Sequence, residues 1–189
     1  MNWPSLLMLV FIGLALVLIG YLVGTASVKP AGPADADIIF AAELSTHHAL
    51  AMRMAGLAGQ YSDDPEIRHV AFEIETDRIE QAGRVKGWSD VWKQPPQTAK
   101  DVERPALDRV DPAEVTALRR LTGTEFDIAF LQLMLRHDET GIALAKLAVT
   151  KARTSAVRVH AKTVRAQQMT EVETLESLLA ARTSRTSRY

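Results

Sequence analysis

The sequence predicts an all-α protein, in which an N-terminal transmembrane helix precedes a four-helix bundle made of two duplicated helical hairpins. Three observations lead to this prediction. Residues 6–23 form an uncharged apolar run, and the rest of the chain repeats itself at a constant offset of 90 positions. The long segments also place apolar residues at helical spacing, without the alternation that is typical of strands.

The internal repeat relates residues 37–58 to residues 127–148. The register continues without a gap into the next segment, where Arg68 and Ala71 match Arg158 and Ala161. A gapless match across a loop indicates duplication of one helix–turn–helix unit, with copies at residues 37–92 and 127–181. The identical positions in the first helices are Asp37, Ile38, Phe40, His47, Ala55, Leu57 and Ala58, which match Asp127, Ile128, Phe130, His137, Ala145, Leu147 and Ala148.

The composition fits one ordinary domain with an additional segment. The 189 residues are 47% hydrophobic, and 22 basic side chains balance 23 acidic ones, so no charge excess points to a nucleic-acid partner. The absence of cysteine excludes disulfides, thiolate metal sites and cysteine nucleophiles. Nothing in the sequence resembles a nucleophile–base arrangement or a phosphate-binding loop, so we expect no enzymatic activity.

Residues 1–27 are predicted to be a membrane anchor or a signal segment. The uncharged run at residues 6–23 approaches the roughly 20 residues needed to cross a bilayer and exceeds the apolar run of about 7–15 in a cleavable signal. Gly24, Thr25 and Ala26 nevertheless offer small residues to a signal peptidase. The anchor is favoured, and the cleaved signal remains open. Residues 28–36, which include two prolines, form a tether and the start of the first bundle helix.

Four long helices are predicted after the tether. The first runs over about residues 34–60, and the second runs from a capped, proline-containing start at Ser62–Glu66 to about Trp92. Residues 93–126 form a proline-rich crossover with a short helix over residues 113–121. The third helix runs over about residues 125–151 and the fourth ends near residue 181, after which residues 182–189 form a basic tail predicted to be disordered.

The duplication also suggests how the helices are arranged. An up-down-up-down bundle makes the first and third helices parallel, so that equal positions lie at equal heights. His47 and His137 would then face each other near the middle of the bundle.

The paired histidines are the best candidate for a functional site. A single inward histidine in a helical bundle is more often a hydrogen-bonded core residue than a ligand, but two that meet by symmetry favour a metal site. Imidazole, carboxylate and thioether groups all bind metals, and imidazole with thioether favours copper over magnesium or calcium. Because binding needs neutral imidazole, the affinity is expected to fall as the pH drops through about 6–7. The candidate ligands are His47, His48, Met134, His137 and Asp138, with Met54 as a core residue or a second, weaker position.

The order of these motifs resembles that of a bacterial family, the domain of unknown function 305 proteins, over residues 34–181. The resemblance implies a ferritin-like helical bundle, exported or membrane-anchored, with copper-binding members and no shared enzymatic activity. We therefore expect a single-pass protein of the cell membrane with an extracytoplasmic bundle, and we leave self-association into a homo-oligomer open. The matching motifs are Asp37-x-x-Phe40, His47-His48, Ala51-x-x-Met54-Ala55 and Asp64-Pro65-Glu66-x-Arg68 in the first copy, and Asp127-x-x-Phe130, Met134-x-x-His137 and Gln168-x-x-Glu171 in the second.

Several positions depart from the family pattern. Asp138 replaces the second histidine of the later pair, and Leu44 and Leu144 replace expected methionines. The glutamine–glutamate motif becomes Arg78-x-x-Gln81 in the first copy. Two hypotheses follow. One is a metal-binding bundle, with copper favoured, that sequesters or handles the ion. The other is a structural or interaction bundle whose ligands have degenerated.

The two remaining histidines carry less information. Glu66-x-x-His69 is a motif that di-iron bundles use twice, but its counterpart at residues 156–159 has neither the glutamate nor the histidine. A di-iron site is therefore not favoured. His160 occupies an apolar position of the fourth helix, where a hydrogen-bonded core histidine is the default interpretation.

Overall fold

The computed structural model describes residue 3 and residues 11–21, 32–93, 107 and 109–186, apart from the side chains of residues 185 and 186. The chain divides into two compact units, Met1–Gly32 and Pro33–Tyr189. In the first unit residues 11–21 are helical, and the rest of the predicted anchor at residues 6–23 lies outside the described residues. Among the residues that are described, no helix combines the length and the apolar character needed to cross a membrane.

The second unit is an all-α bundle, and its described residues contain no strand. The long helices are α1 (Asp35–Tyr61), α2 (Pro65–Trp92), α4 (Gly123–Lys151) and α5 (Ser155–Thr186), and a short α3 (Pro112–Ala117) continues into a 3-10 turn, Leu118–Arg120. The predicted boundaries agree with these to within a few residues, except that α5 continues to Thr186 and buries Arg182, where a disordered tail was predicted. Residues 94–106 and 108 of the predicted crossover and residues 187–189 of the tail lie outside the described part.

The start of α2 shows why the local predictions succeed. The side chain of Asp64 accepts a 2.9 Å hydrogen bond from the backbone N–H of Glu66, and Pro65 occupies the first helical position. An N-cap carboxylate satisfies an amide that has no partner within the helix, and proline needs none there. Asp111 caps α3 in the same way, and the Glu114 side chain in turn accepts a hydrogen bond from the backbone N–H of Asp111, so these two residues form a capping box. These signals are local, so the sequence shows them directly.

The relative direction of the hairpins differs from the prediction. Asp37, in the first turn of α1, accepts hydrogen bonds of 3.2 and 2.9 Å from the backbone N–H groups of Arg153 and Thr154, which follow the last turn of α4. At the opposite end, the Ser62 hydroxyl donates a 2.6 Å hydrogen bond to Asp127, near the start of α4. α1 and α4 therefore run antiparallel, and the predicted parallel arrangement was wrong.

Helices α2 and α5 are antiparallel as well. Arg182, near the end of α5, pairs at 2.6 Å with Asp64 at the start of α2. The order is thus up-down-down-up rather than up-down-up-down, and an approximate two-fold axis across the bundle relates the two copies. The duplication fixes the shape of each hairpin but not the direction in which the second is placed. The long connection between α2 and α4 allows the chain to return to the opposite end of the bundle.

The core consists of two apolar clusters with a polar layer between them. The first cluster surrounds the turn between α1 and α2 and includes Met54, Ile67, Ile74, Phe126, Phe130, Met134 and Leu175. The second lies at the opposite end and includes Phe40, Leu44, Val85, Leu144, Val157 and Val164. Between them, polar side chains from all four long helices form the mid-bundle layer. We define it as the buried His47, His48, Arg78, Gln81, His137, Asp138 and Gln168, together with Glu171, whose side chain is 11% exposed. Buried polar groups destabilise a core unless they find partners, so this layer is where a function is expected.

Candidate metal centre

His47 and His137 lie at the centre of the mid-bundle layer. Each occupies the middle of its helix, so the two-fold relation between α1 and α4 brings equal positions together. The two imidazole rings stack with centroids 3.7 Å apart and planes inclined by 7°. The predicted meeting of these residues is therefore present, although it results from antiparallel rather than parallel helices.

Asp138 completes a group of three potential ligands. One ligand atom from each of His47, His137 and Asp138 lies within 4.8 Å of the others, and all three residues are buried. His48 lies to one side, with its ring 5.9 Å from that of His47 and tilted by 55°. Two imidazoles and one carboxylate within such a distance match the donor set of many transition-metal sites.

Gln168 and Gly141 fix the position of His47. The side-chain nitrogen of Gln168 lies 2.8 Å from Nε2 of His47. A Cβ at position 141 would lie 2.4 Å from that Nε2 atom and 2.3 Å from Oε1 of Gln168, far inside van der Waals contact. Because residue 141 is glycine, the Gln168 side chain of α5 has room to contact the imidazole of His47.

Arg78 supplies a buried cation beside the three ligands. Its Nη2 atom lies 3.1 Å from Oδ1 of Asp138 and 2.8 Å from Oε2 of Glu171, and its side chain is 0% exposed. Desolvation works against the charge, but the carboxylates of Glu171 and Asp138 raise the pKa of Arg78 above its ordinary value. The guanidinium is thus a permanent charge of the layer.

The same environment keeps the histidines neutral. Burial lowers the pKa of His47 well below its ordinary value, and the charges of His137, His48 and Arg78 add to this effect. Burial lowers the pKa of His137 to about 3 and that of His48 to about 2, in both cases with Arg78 as the next cause. Neutral imidazole is the form that binds metals.

Asp138 shifts in the opposite direction. Burial raises its pKa well above the ordinary value, and the charge of Glu171 raises it further, while Arg78 opposes the rise. Its Oδ2 atom and Nε2 of His137 are buried and have no hydrogen-bond partner among the described residues. A cation between these two atoms would satisfy both of them.

A cavity of about 550 Å³ connects the histidine pair with the surface. It lies between α1, α4 and the segment that precedes α3, and both His47 and His137 line it. At its edge, Arg109 pairs with Glu43 of α1 at 2.8 Å. The stacked rings therefore border a cavity rather than a continuous apolar core.

The other candidates from the sequence lie outside this group of three ligands. Met54 and Met134 are fully buried in the first apolar cluster. Both ring nitrogens of His48 are buried and have no hydrogen-bond partner among the described residues. His69 is exposed and pairs with Glu73 at 3.4 Å, whereas His160 is buried edge-on against Trp88, with ring centroids 5.3 Å apart. Neither belongs to the ligand group.

Sequence reasoning identified the histidines and Asp138 but gave no site role to Gln168, Glu171, Gly141 or Arg78. One signal could have found part of this set. Arg78 and Gln168 occupy equivalent positions at the offset of 90, as do His48 and Asp138, so these two differences between the copies fall in the same layer. The repeat gives no indication that Gly141 makes room for a neighbouring side chain.

A family model named domain of unknown function DUF305 matches residues 37–179. The chain belongs to the DUF305 family. This match spans all four long helices of the bundle and both copies of the repeat. No curated protein matches the chain.

Solved structures of DUF305 proteins share this bundle. A presumed secreted DUF305 protein from Streptomyces coelicolor is 29% identical, with a TM-score of 0.71, over 78% of this chain and 92% of that chain. A DUF305 fragment from Deinococcus radiodurans is 23% identical, with a TM-score of 0.70, over 79% of this chain and 99% of that chain. CopM in its Cu(I)-bound form is 23% identical, with a TM-score of 0.61, over 75% of this chain and 93% of that chain. At 23% identity, the last two similarities show that the fold is shared and no more than that.

Proposed function

We propose that this DUF305 bundle binds a copper ion between α1 and α4 and that it sequesters or handles the metal rather than catalysing a reaction. One observation carries the proposal: ligand atoms of His47, His137 and Asp138 lie within 4.8 Å of one another in a buried layer. Their chemistry fits the ion, because imidazole suits copper and the carboxylate supplies a compensating charge.

Buried polar atoms that lack a hydrogen-bond partner also favour a bound metal ion at this site. Nε2 of His137 and Oδ2 of Asp138 are buried without a protein hydrogen bond among the described residues, an arrangement that destabilises the fold unless something binds them. His47 would contribute Nε2 once the Gln168 side chain turns aside. His48 and Met134 are proposed as secondary donors, and Met54 as a core residue.

The similarity to CopM supports the choice of copper. CopM, which shares the fold, has been solved in Cu(I)-bound, Cu(II)-bound and silver-bound forms. Silver(I) and copper(I) are both soft monovalent ions that prefer nitrogen and sulfur donors to oxygen. A site with two imidazoles in a CopM-like bundle is consistent with that preference.

A second candidate is a structural or interaction bundle with degenerate ligands. The observation in its favour is the ion pairing of Arg78 with Asp138 and Glu171, which partly neutralises the layer without a metal. Under this alternative, the buried charges specify the bundle and bind nothing.

Metal titration of the fragment from residue 28 onward distinguishes the two candidates. We expect one tightly bound Cu(I), and loss of most of the affinity in His47→Ala and in His137→Ala. His69→Ala is the matched control, because it removes an exposed imidazole that does not belong to the site. A wild-type fragment that binds no copper, or two site variants that bind it normally, would establish the structural alternative.

For the location, we propose that residues 6–23 anchor the protein in the cell membrane with the bundle outside the cytoplasm. The support is the uncharged length of this run and the likeness to the presumed secreted Streptomyces protein. Membrane fractionation tests it: the protein should remain with membranes after alkaline extraction. Recovery of a soluble chain that begins near Ser27 would show a cleaved signal instead.

A further inference from the structure

The mid-bundle layer contains a fixed positive charge where the repeat predicts a neutral group. Arg78 of α2 is equivalent to Gln168 of α5 at the offset of 90, and Gln168 contacts His47 through its amide. Arg78 instead binds the carboxylates of Asp138 and Glu171 with a side chain that is 0% exposed. The two copies therefore contribute one matching imidazole each, His47 and His137, but different charges.

The formal charges of the layer determine the net charge of the centre once an ion is bound. One guanidinium and two carboxylates sum to −1 when the carboxylates are ionised. A monovalent ion brings this sum to zero, whereas a divalent ion leaves one uncompensated positive charge in the core. Uncompensated buried charge is strongly unfavourable because the interior screens it poorly.

We propose that Arg78 determines the ion selectivity of the centre and makes it prefer monovalent over divalent metal ions. The inference rests on the proposed function, since it concerns the same site. Arg78 acts through charge and through the position of Asp138, without contacting the ion itself. A guanidinium does not lose its proton in a protein, so the positive charge of Arg78 acts on a bound ion at every pH.

Ag(I) and Zn(II) are suitable probes, because both have filled d shells and therefore differ mainly in charge and softness. The electrostatic free energy of an ion is proportional to its charge, so a change in potential alters the Zn(II) constant by about the square of the factor for Ag(I). At an effective dielectric constant near 20, removing a unit charge about 6–12 Å from a monovalent ion changes its binding constant by roughly one to two orders of magnitude.

Arg78→Gln introduces the residue that the second copy already carries. It should tighten Ag(I) binding about tenfold and Zn(II) binding about a hundredfold. The double variant Arg78→Gln/Glu171→Gln has the wild-type sum of −1 and should return to the wild-type ratio of the two constants. Arg84→Gln is the matched control: it removes the same charge from an exposed side chain of α2, paired with Glu80 at 2.8 Å, and should leave the ratio unchanged.

The outcomes separate this inference from the proposed function. A wild-type protein that binds neither ion defeats the proposed function. A wild-type protein that binds Ag(I), together with an Arg78→Gln variant of unchanged ratio, overturns the inference alone. If the single arginine variant does not fold, Glu171→Gln gives the opposite test. It raises the sum to zero and should weaken Zn(II) more than Ag(I), and an equal loss for both ions would overturn the inference.

Discussion

The imidazole rings of His47 and His137 lie nearly parallel, with their centroids 3.7 Å apart. Two protonated rings at this separation would repel each other in a core that screens charge poorly. Burial lowers the pKa of His47 well below its ordinary value and that of His137 to about 3. The pair is therefore neutral at pH 7, and its nitrogen lone pairs are available to a metal.

The free energy of unfolding should fall as the pH drops from 7 to 5. The folded state keeps His47, His48 and His137 neutral in this range, whereas in the unfolded chain they take up protons near pH 6.5. Because these protons bind only in the unfolded state, each of the three histidines lowers stability by ~2 kcal/mol between pH 7 and 5. His160, whose pKa burial lowers to about 4, adds to this loss, whereas Asp138, whose raised pKa keeps a proton in the folded state, offsets part of it. Urea denaturation of the metal-free protein at the two pH values measures this loss.

Single substitutions test whether the buried histidines cause this loss of stability. His48→Gln should reduce the difference between pH 7 and 5 by about one histidine's share, ~2 kcal/mol. His69→Gln should leave it unchanged, because that side chain is 71% exposed. Equal stability at pH 5 and 7 would contradict neutral burial of the histidines.

The pH dependence of metal binding should follow Asp138 rather than the histidines. From the sequence, the affinity was expected to fall between about pH 7 and 6, but the lowered pKa values leave the imidazoles neutral there. The raised pKa of Asp138 means that an ion must displace its proton, so affinity should rise about tenfold per pH unit up to that pKa. Competition titrations between pH 5 and 8 measure the slope, and Asp138→Asn should abolish it. A variant that keeps the wild-type slope would exclude Asp138 as a ligand.

The sequence predicted the helices and the central histidine pair because both depend on local patterns. Asp64 and Pro65 mark a helix start wherever the helix lies, and the offset of 90 places His47 and His137 at equal depth in equivalent helices. Two mid-helix positions meet whether the helices are parallel or antiparallel. The correct pair therefore emerged from an incorrect topology.

The direction of the second hairpin and the charge of the layer could not be predicted in this way. The antiparallel packing is visible only in contacts such as that of Asp37 with Thr154, which join residues 117 positions apart. From the sequence alone, Arg78 resembles a surface residue of α2. In the folded bundle, α5 places Glu171 2.8 Å from it. Such features depend on how whole helices pack, and a repeat within one chain does not specify that.

Asp37→Asn should destabilise the bundle by roughly 1–3 kcal/mol. The buried carboxylate accepts hydrogen bonds from the backbone N–H groups of Arg153 and Thr154, and it also accepts one of 2.7 Å from the N–H of Ala34. An asparagine side chain has only one acceptor oxygen. Its NH₂ group would therefore face at least one of these backbone N–H donors and leave it without an acceptor. Thermal denaturation compared with Asp35→Asn, an exposed acid of the same helical turn, isolates the contact from the helix-dipole effect. Equal melting temperatures for the two variants would show that the link between α1 and the start of α5 adds no stability.

Gly141→Ala should damage both the fold and the site. A methyl group there would lie 2.4 Å from Nε2 of His47 and 2.3 Å from Oε1 of Gln168, so at least one side chain must move. Overpacking of this kind destabilises by about 1–3 kcal/mol, and displacement of His47 should weaken metal binding at least about tenfold. Gly83→Ala is the matched control, because a Cβ at this exposed position of α2 meets nothing within 4 Å and should stabilise the helix by up to ~1 kcal/mol. The two variants make the same chemical change in helices of one bundle, so the difference between them measures the space that His47 and Gln168 need. If Gly141→Ala instead matched Gly83→Ala in both stability and metal affinity, the close approach of α5 to His47 would be absent from the protein in solution.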